Sequence, residues 1–382
     1  MFRRFSVCSL ALAAICASTV LVSAQVTSSP TDTSKPGSSP VAYVYVSTSQ
    51  SGAGQIDGFA AFSNGFLYNI PGSPFPYAVS YMAANSGWLF DINASDNNLI
   101  ESNIIASDGA IAAAYTYQVQ QTGGGLVNLF LDHTGATLYS DYYTTNNEYL
   151  AFLIEQSTGE FEYLNDVQGG PGFGYVLSFI GNNQYAYSSD CYHFSPEIYG
   201  VQRGSEGNIT RLNINPPLPS IPAGYGYCPY LAAADPTNHL AIAVQAMKGF
   251  NDPAGPYQFA SYTADASGNL TTNSTYKNMP ATLVGTVNDY WMSPDGKYLA
   301  AGGSKGLQLF HFNGGNPLTK FTDLLTSDSI DQMFWDNANH LYAISRKAGK
   351  LFVYTVTSTG VTRAPGSPHT ITGALNLVVL PK

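Results

Sequence analysis

Asp190 and His193 are a carboxylate and an imidazole three residues apart within one connecting segment, residues 188–194. That pairing is the minimum for proton transfer, with the carboxylate or the ring acting as base toward water. The same two residues also make an ordinary solvated loop pair, which does no chemistry. A second acid, Asp289, stands five residues before Pro294 at the head of a short apolar run. Asn128, Tyr175, Tyr230, Asn288, Asp331, Gln332 and Asn376 occupy comparable places elsewhere in the chain. They are polar and mostly uncharged, suited to hydrogen-bonding a ligand. No H-x-x-E-H, C-x-x-C or Asp-x-Asp-x-Asp spacing is present, so no metal is expected. There is no G-x-S-x-G nucleophile turn and no glycine-rich phosphate loop between a strand and a helix, and no cofactor is expected.

The elements that must position these residues are written out most fully in residues 288–321. An apolar run ends at Met292, Ser293-Pro294-Asp295-Gly296 turns the chain, and Tyr298 to Ala301 resumes it. After a glycine-rich turn, residues 307–312 alternate with period two, and Asn313-Gly314-Gly315-Asn316 leads into a fourth run. The pattern reads as four short antiparallel strands. Its turn recurs at Asp132-His133-Thr134-Gly135, Asp235-Pro236-Thr237-Asn238 and Asp336-Asn337-Ala338-Asn339, with fainter copies at residues 85–87 and 181–183. A spacing of roughly fifty residues is that of a four-stranded propeller blade.

The first copy, from residue 42, lacks its opening strand, whereas residues 375–380 supply one strand too many at the end. Both facts are explained if the C-terminal strand joins the N-terminal blade and leaves no open edge. The expected fold is therefore all-β, a seven-bladed β-propeller of four-stranded antiparallel blades closed by that strand. Its blades fall at residues 42–75 with 374–380, 79–120, 126–166, 175–214, 228–277, 287–325 and 330–371.

Alternate connections of such blades lie at opposite ends. The Asp- and Ser-led turns after first strands share the lower face, where their side chains cap turns. His133, His239 and His340 are read as occupants of those turns. The upper face receives the connections after second and fourth strands, including the long segments 188–194, 215–227 and 245–257, placed to bind or merely to cover strand ends. The first strand of each blade lines the central channel, which brings Asn128, Tyr175, Tyr230, Asn288 or Asp289, Asp331 or Gln332, and Asn376 together. Cys191 follows the second strand of the fourth blade and Cys228 opens the fifth, so both are upper-face positions on neighbouring blades. A disulfide between them is expected; two separate thiols are the alternative.

The Ser293-Pro294-Asp295-Gly296-Lys297-Tyr298-Leu299 motif, the run Leu351-Phe352-Val353-Tyr354 followed by Ser358-Thr359-Gly360, and the repeated word Pro-Gly-Ser-Pro at residues 71–74 and 365–368 resemble the secreted seven-bladed lactonase-like propellers. The resemblance extends over about residues 41–382. Its best-known members hydrolyse sugar lactones such as phosphogluconolactone, which implies lactone hydrolysis at the upper mouth of the channel. Where the family often carries a histidine, this chain has Asp289, with Asn128 and Gln332 at the equivalent places of two other blades, and no arginine adjoins them in sequence. The base would be Asp289, or Asp190 with His193. A non-catalytic propeller that binds a carbohydrate or another protein on its tyrosine-rich upper face is the alternative.

Composition bounds the partners. Residues 1–24 carry Arg3 and Arg4, an apolar core and a Val22-Ser23-Ala24 site, the pattern of a cleaved secretory signal. Residues 25–40 read as a disordered Ser/Thr/Pro linker and 41–382 as one domain. The net charge of −10 becomes about −12 once the signal is removed, which argues against nucleic acid and anionic membrane as partners. With 10% charged residues and 27 tyrosines the surface suits an exported, secreted or periplasmic monomer. Its partner is expected to be a small-molecule or carbohydrate ligand, or another protein.

Overall fold

Second strands such as Tyr298–Gly303 and His340–Ser345 contain no residue that is not buried, because each is packed on both faces. Consecutive side chains of a strand point to opposite faces. Leu299 and Ala301 accordingly enter the apolar cluster shared with the preceding blade, and Ala300 enters the one shared with the next. A strand that must be apolar on both faces has no place for charge, which accounts for the scarcity of charged residues. Fourth strands pack on one side only. Ile111–Gln118 is largely exposed after its first residue.

The structure is a computed structural model and describes residues 39–50, 53–144, 147–169, 176–193 and 195–382. The expected signal and nearly all of the linker lie outside the described residues, as do Tyr175 and Phe194. Seven antiparallel sheets form a seven-bladed β-propeller, and no helix occurs among the described residues. Seven apolar clusters fill the seams, one for each neighbouring pair of blades, including blades 7 and 1.

That last seam depends on the C-terminal strand Ala374–Pro381, which pairs with Ala42–Gln50 and becomes the innermost strand of blade 1. Leu377 and Val379 are buried against Tyr342 and Val353 of blade 7. The ring is thus closed as the strand count requires. The two Pro-Gly-Ser-Pro words do the same job in blades 1 and 7. Ser73 Oγ accepts the Gly58 N–H and Ser367 Oγ accepts the Val353 N–H, each at 2.8 Å. Both words lead into a short return that pairs with the third strand, at Ile56 with Phe75 and at Leu351 with His369.

Two of the long upper segments are more regular than their composition indicates. Residues 188–192 belong to the second strand of blade 4, Tyr185–Tyr192, and the hairpin returns at Ser195–Arg203. In blade 5 the strands His239–Gly249 and Asp252–Ala264 run past the sheet as a tall hairpin whose tip is Phe250 and Asn251. Cross-strand pairing persists here because neighbouring hairpins support one another. The Cys191–Cys228 disulfide joins the two blades at this level, with Cα atoms 5.1 Å apart.

Candidate functional site

The lower turns are held by their own side chains. Ser293 Oγ accepts the N–H groups of Lys297 and Tyr298 and donates to Asp295 Oδ1. Gly296 takes φ of +69°, a conformation that a side chain would strain. In three other blades the aspartate accepts the N–H at the start of the following strand: Asp132 from Thr137, Asp235 from His239 and Asp336 from His340. His340 is more than a turn residue. It is fully buried, its Nδ1 lies 2.7 Å from Asp336 Oδ2, and that same oxygen accepts the Tyr342 hydroxyl at 2.8 Å. Asp132 has a different partner, the Arg203 guanidinium at 2.7 Å.

A cavity of about 820 Å3 runs along the axis of the ring. Its wall takes residues from both ends of the first strands, from Asn288, Asp331 and Asn376 at the upper mouth to Pro236, Pro294 and Asn337 at the lower. Asn128, Asn288, Asp289, Asp331, Gln332 and Asn376 all line it. Tyr230 does not. The first strand of blade 5 bulges between Tyr230 and Ala233, and Leu231 takes a left-handed φ of +56°. Leu231 and Ala232 therefore face the axis, while Tyr230 packs edge-on against Tyr257.

Several of the lining amides serve structure. Gln332 Oε1 accepts the Leu377 N–H, Asn288 Nδ2 donates to the Ile330 carbonyl, and Asn376 Nδ2 donates to the Ser80 carbonyl. They tie blade to blade around the mouth. Asp289 is placed differently. Its Oδ2 accepts the Met333 N–H at 2.7 Å and the Trp291 indole N–H at 3.1 Å. Burial pushes its carboxyl up to about 7, against the opposing pull of those hydrogen bonds and of the Arg346 charge. Trp291 in turn packs against Phe334 with ring centroids 4.5 Å apart and planes tilted by 36°, and both residues line the cavity.

Arg346 was not expected from the sequence around Asp289. It belongs to the upper connection after the second strand of blade 7 and reaches the channel mouth from there. Its backbone N–H donates to Asp331 Oδ2 at 2.8 Å and its Nε to the Leu375 carbonyl at 2.7 Å. This fixes the guanidinium over the mouth while its two terminal nitrogens carry no hydrogen bond to the described residues. The rule that connections after second strands reach the upper face contained the signal.

Asp190 and His193 lie outside the channel wall, and no hydrogen bond joins them. Asp190 is buried in its strand opposite Glu197, and burial raises its carboxyl pKa. His193 sits in the turn with φ of +50°, stacked on Tyr192 at 4.1 Å and edge-on to Phe250 at 5.2 Å. Among the described residues no group of three or more His, Cys, Asp or Glu side chains is arranged to hold a metal.

Solved structures share this architecture. A Bacteroides uniformis protein provisionally designated a 6-phosphogluconolactonase superposes with a TM-score of 0.67 at 15% identity, over 88% of this chain and 99% of its own. A Bacteroides fragilis protein of the same provisional designation gives 0.66 at 16% identity, over 91% and 99%. A Lactobacillus plantarum protein gives 0.62 at 16% identity, over 89% and 99%. No protein-family model matches the chain. No curated protein matches it either. At these identities the likeness establishes the fold alone, a seven-bladed β-propeller.

Proposed function

We propose that this exported propeller hydrolyses a sugar-type lactone at the upper mouth of its channel. The observation that carries the reading is Asp289, a carboxyl facing an 820 Å3 cavity with its pKa pushed up to about 7. A general base works best with a pKa close to the working pH. In this scheme Asp289 takes a proton from water and the resulting hydroxide adds to the ring carbonyl carbon. The terminal N–H groups of Arg346 stabilise the developing oxyanion. Collapse breaks the ring C–O bond, the alkoxide leaving group takes up the proton that Asp289 removed from water, and a hydroxy acid is released. The provisional designation of the two Bacteroides proteins supports the same class of reaction. The disulfide and the signal-like residues 1–24 support export.

Asp289→Asn is expected to lower kcat on glucono-δ-lactone by roughly a hundredfold or more, without loss of thermal stability. In the parent, kcat/KM should rise with pH through about 7 and then level off, since the base acts only when deprotonated. Unchanged turnover in Asp289→Asn removes the proposal. The rival reading, a carbohydrate-binding propeller without turnover, has the exposed rings of Tyr192 and Phe250 in its favour. It predicts saturable sugar binding that survives Asp289→Asn and is lost in Phe250→Ala.

A further inference from the structure

Resting on the lactonase reading, we propose that the channel selects an uncharged lactone, packed against the aromatic surface of Trp291 and Phe334, and discriminates against phosphorylated lactones. Holding a phosphoryl dianion takes converging arginines or lysines, a helix N-terminus, or a nest of backbone N–H groups. The described part of this fold contains no helix. Among the described residues Arg346 is the single arginine or lysine in the channel wall, and its Nε is committed to the Leu375 carbonyl. Asp289 and Asp331 share the upper mouth with it, and Asp331 is held against Arg346 through the backbone N–H. Farther down, the wall adds Asp235 and His133, and burial lowers the His133 pKa, favouring the uncharged ring. A dianion entering here meets more carboxylate than cation.

The apolar side of the wall points to the same class of substrate. Trp291 and Phe334 offer ring surface to the channel, and the Trp291 indole N–H is bonded to Asp289. A pyranose-shaped ring stacked on this surface by its C–H face is delivered to the base by the residue that holds the base. Leu129, Leu177 and Leu231 continue the apolar wall, so the cost of burying an unpaired charge falls on any ionised substituent.

The experiment compares glucono-δ-lactone with its 6-phosphate for turnover. Alongside it, calorimetry measures binding of the corresponding lactam, with and without the phosphate, to the parent protein. The expected result is a preference of roughly tenfold or more in both kcat/KM and Kd for the uncharged compound. Phe334→Ala should raise KM for the neutral lactone by about tenfold while leaving kcat within a few-fold. Equal or better turnover or binding of the phosphorylated compound overturns the inference. If neither lactone is hydrolysed but the neutral lactam binds preferentially, the selectivity stands and the hydrolytic reading falls. If neither lactone is hydrolysed and neither lactam binds, both fall.

Discussion

Asp141 shows how far a single side chain can depart from what its residue type promises. It lies in the second strand of blade 3, paired with Asn128 on one side and Tyr149 on the other. It is wholly buried, and neither carboxyl oxygen has a hydrogen-bond partner among the described residues. Burial pushes its pKa up to about 7 from 3.8. The folded state therefore keeps this proton over an interval in which the unfolded chain releases it. Stability should fall as pH rises from about 4 to about 7, by at most about 4 kcal/mol from this group, and then level off. Asp141→Asn should raise the urea midpoint at pH 8 and leave it nearly unchanged at pH 4. An equal shift at both pH values would show that the carboxylate is not the source. The contrast with Asp289 is instructive, since the same elevation occurs there beside a cavity and here inside a seam. Only the first can act on a ligand.

The turn-and-strand elements differ from one another in how much depends on one aspartate. Asp295 makes its bonds at a partly exposed turn, to Ser293 and Lys297. Asp295→Ala should cost about 1 kcal/mol, the loss of a turn cap. Asp336 accepts the Ala338 and His340 N–H groups, the His340 ring and the Tyr342 hydroxyl, in a fully buried setting. Removing it strands two buried polar side chains, and Asp336→Ala should cost about 3 kcal/mol or more. Denaturant unfolding of both variants checks the ranking; equal costs would mean the buried network adds nothing. The Cys191–Cys228 bridge closes a sequence separation of 37 residues. Its loss in Cys191→Ser/Cys228→Ser should destabilise by about 4 kcal/mol on the chain-entropy account, measured in the same way.

Closure is a property of the whole ring. The strand Ala374–Pro381 lies at the axis of blade 1 and contributes to the seams on both sides of it, with Leu377 and Val379 toward blade 7 and Val378 and Leu380 toward blade 2. Deleting residues 374–382 removes buried apolar surface from two seams and exposes the edge of Ala42–Gln50. Unpaired edges recruit other strands. The truncated protein should aggregate or be digested rapidly by protease under conditions that leave the parent intact. A truncation that melts like the parent would show that the ring holds without its closing strand.

Blade number, the closing strand, the turn chemistry and the disulfide pairing could all be worked out from residues 41–382 alone. Each follows from information that is local in the chain: period-two alternation, Asp- and Gly-led turns, and the rule that successive connections alternate between faces. The polar lining of the channel was legible for the same reason, since first strands must face the axis. What only the tertiary structure decided is which side chain a bulge presents and which charges meet across blades. Leu231 replaces Tyr230 at the axis because of one left-handed residue. Arg346 comes to the mouth shared with Asp289 although 57 positions separate them in the sequence. The elevated carboxyls of Asp141 and Asp289 result from desolvation by packing around them. Desolvation depends on the density of atoms brought together by folding, and no local pattern in the chain encodes it.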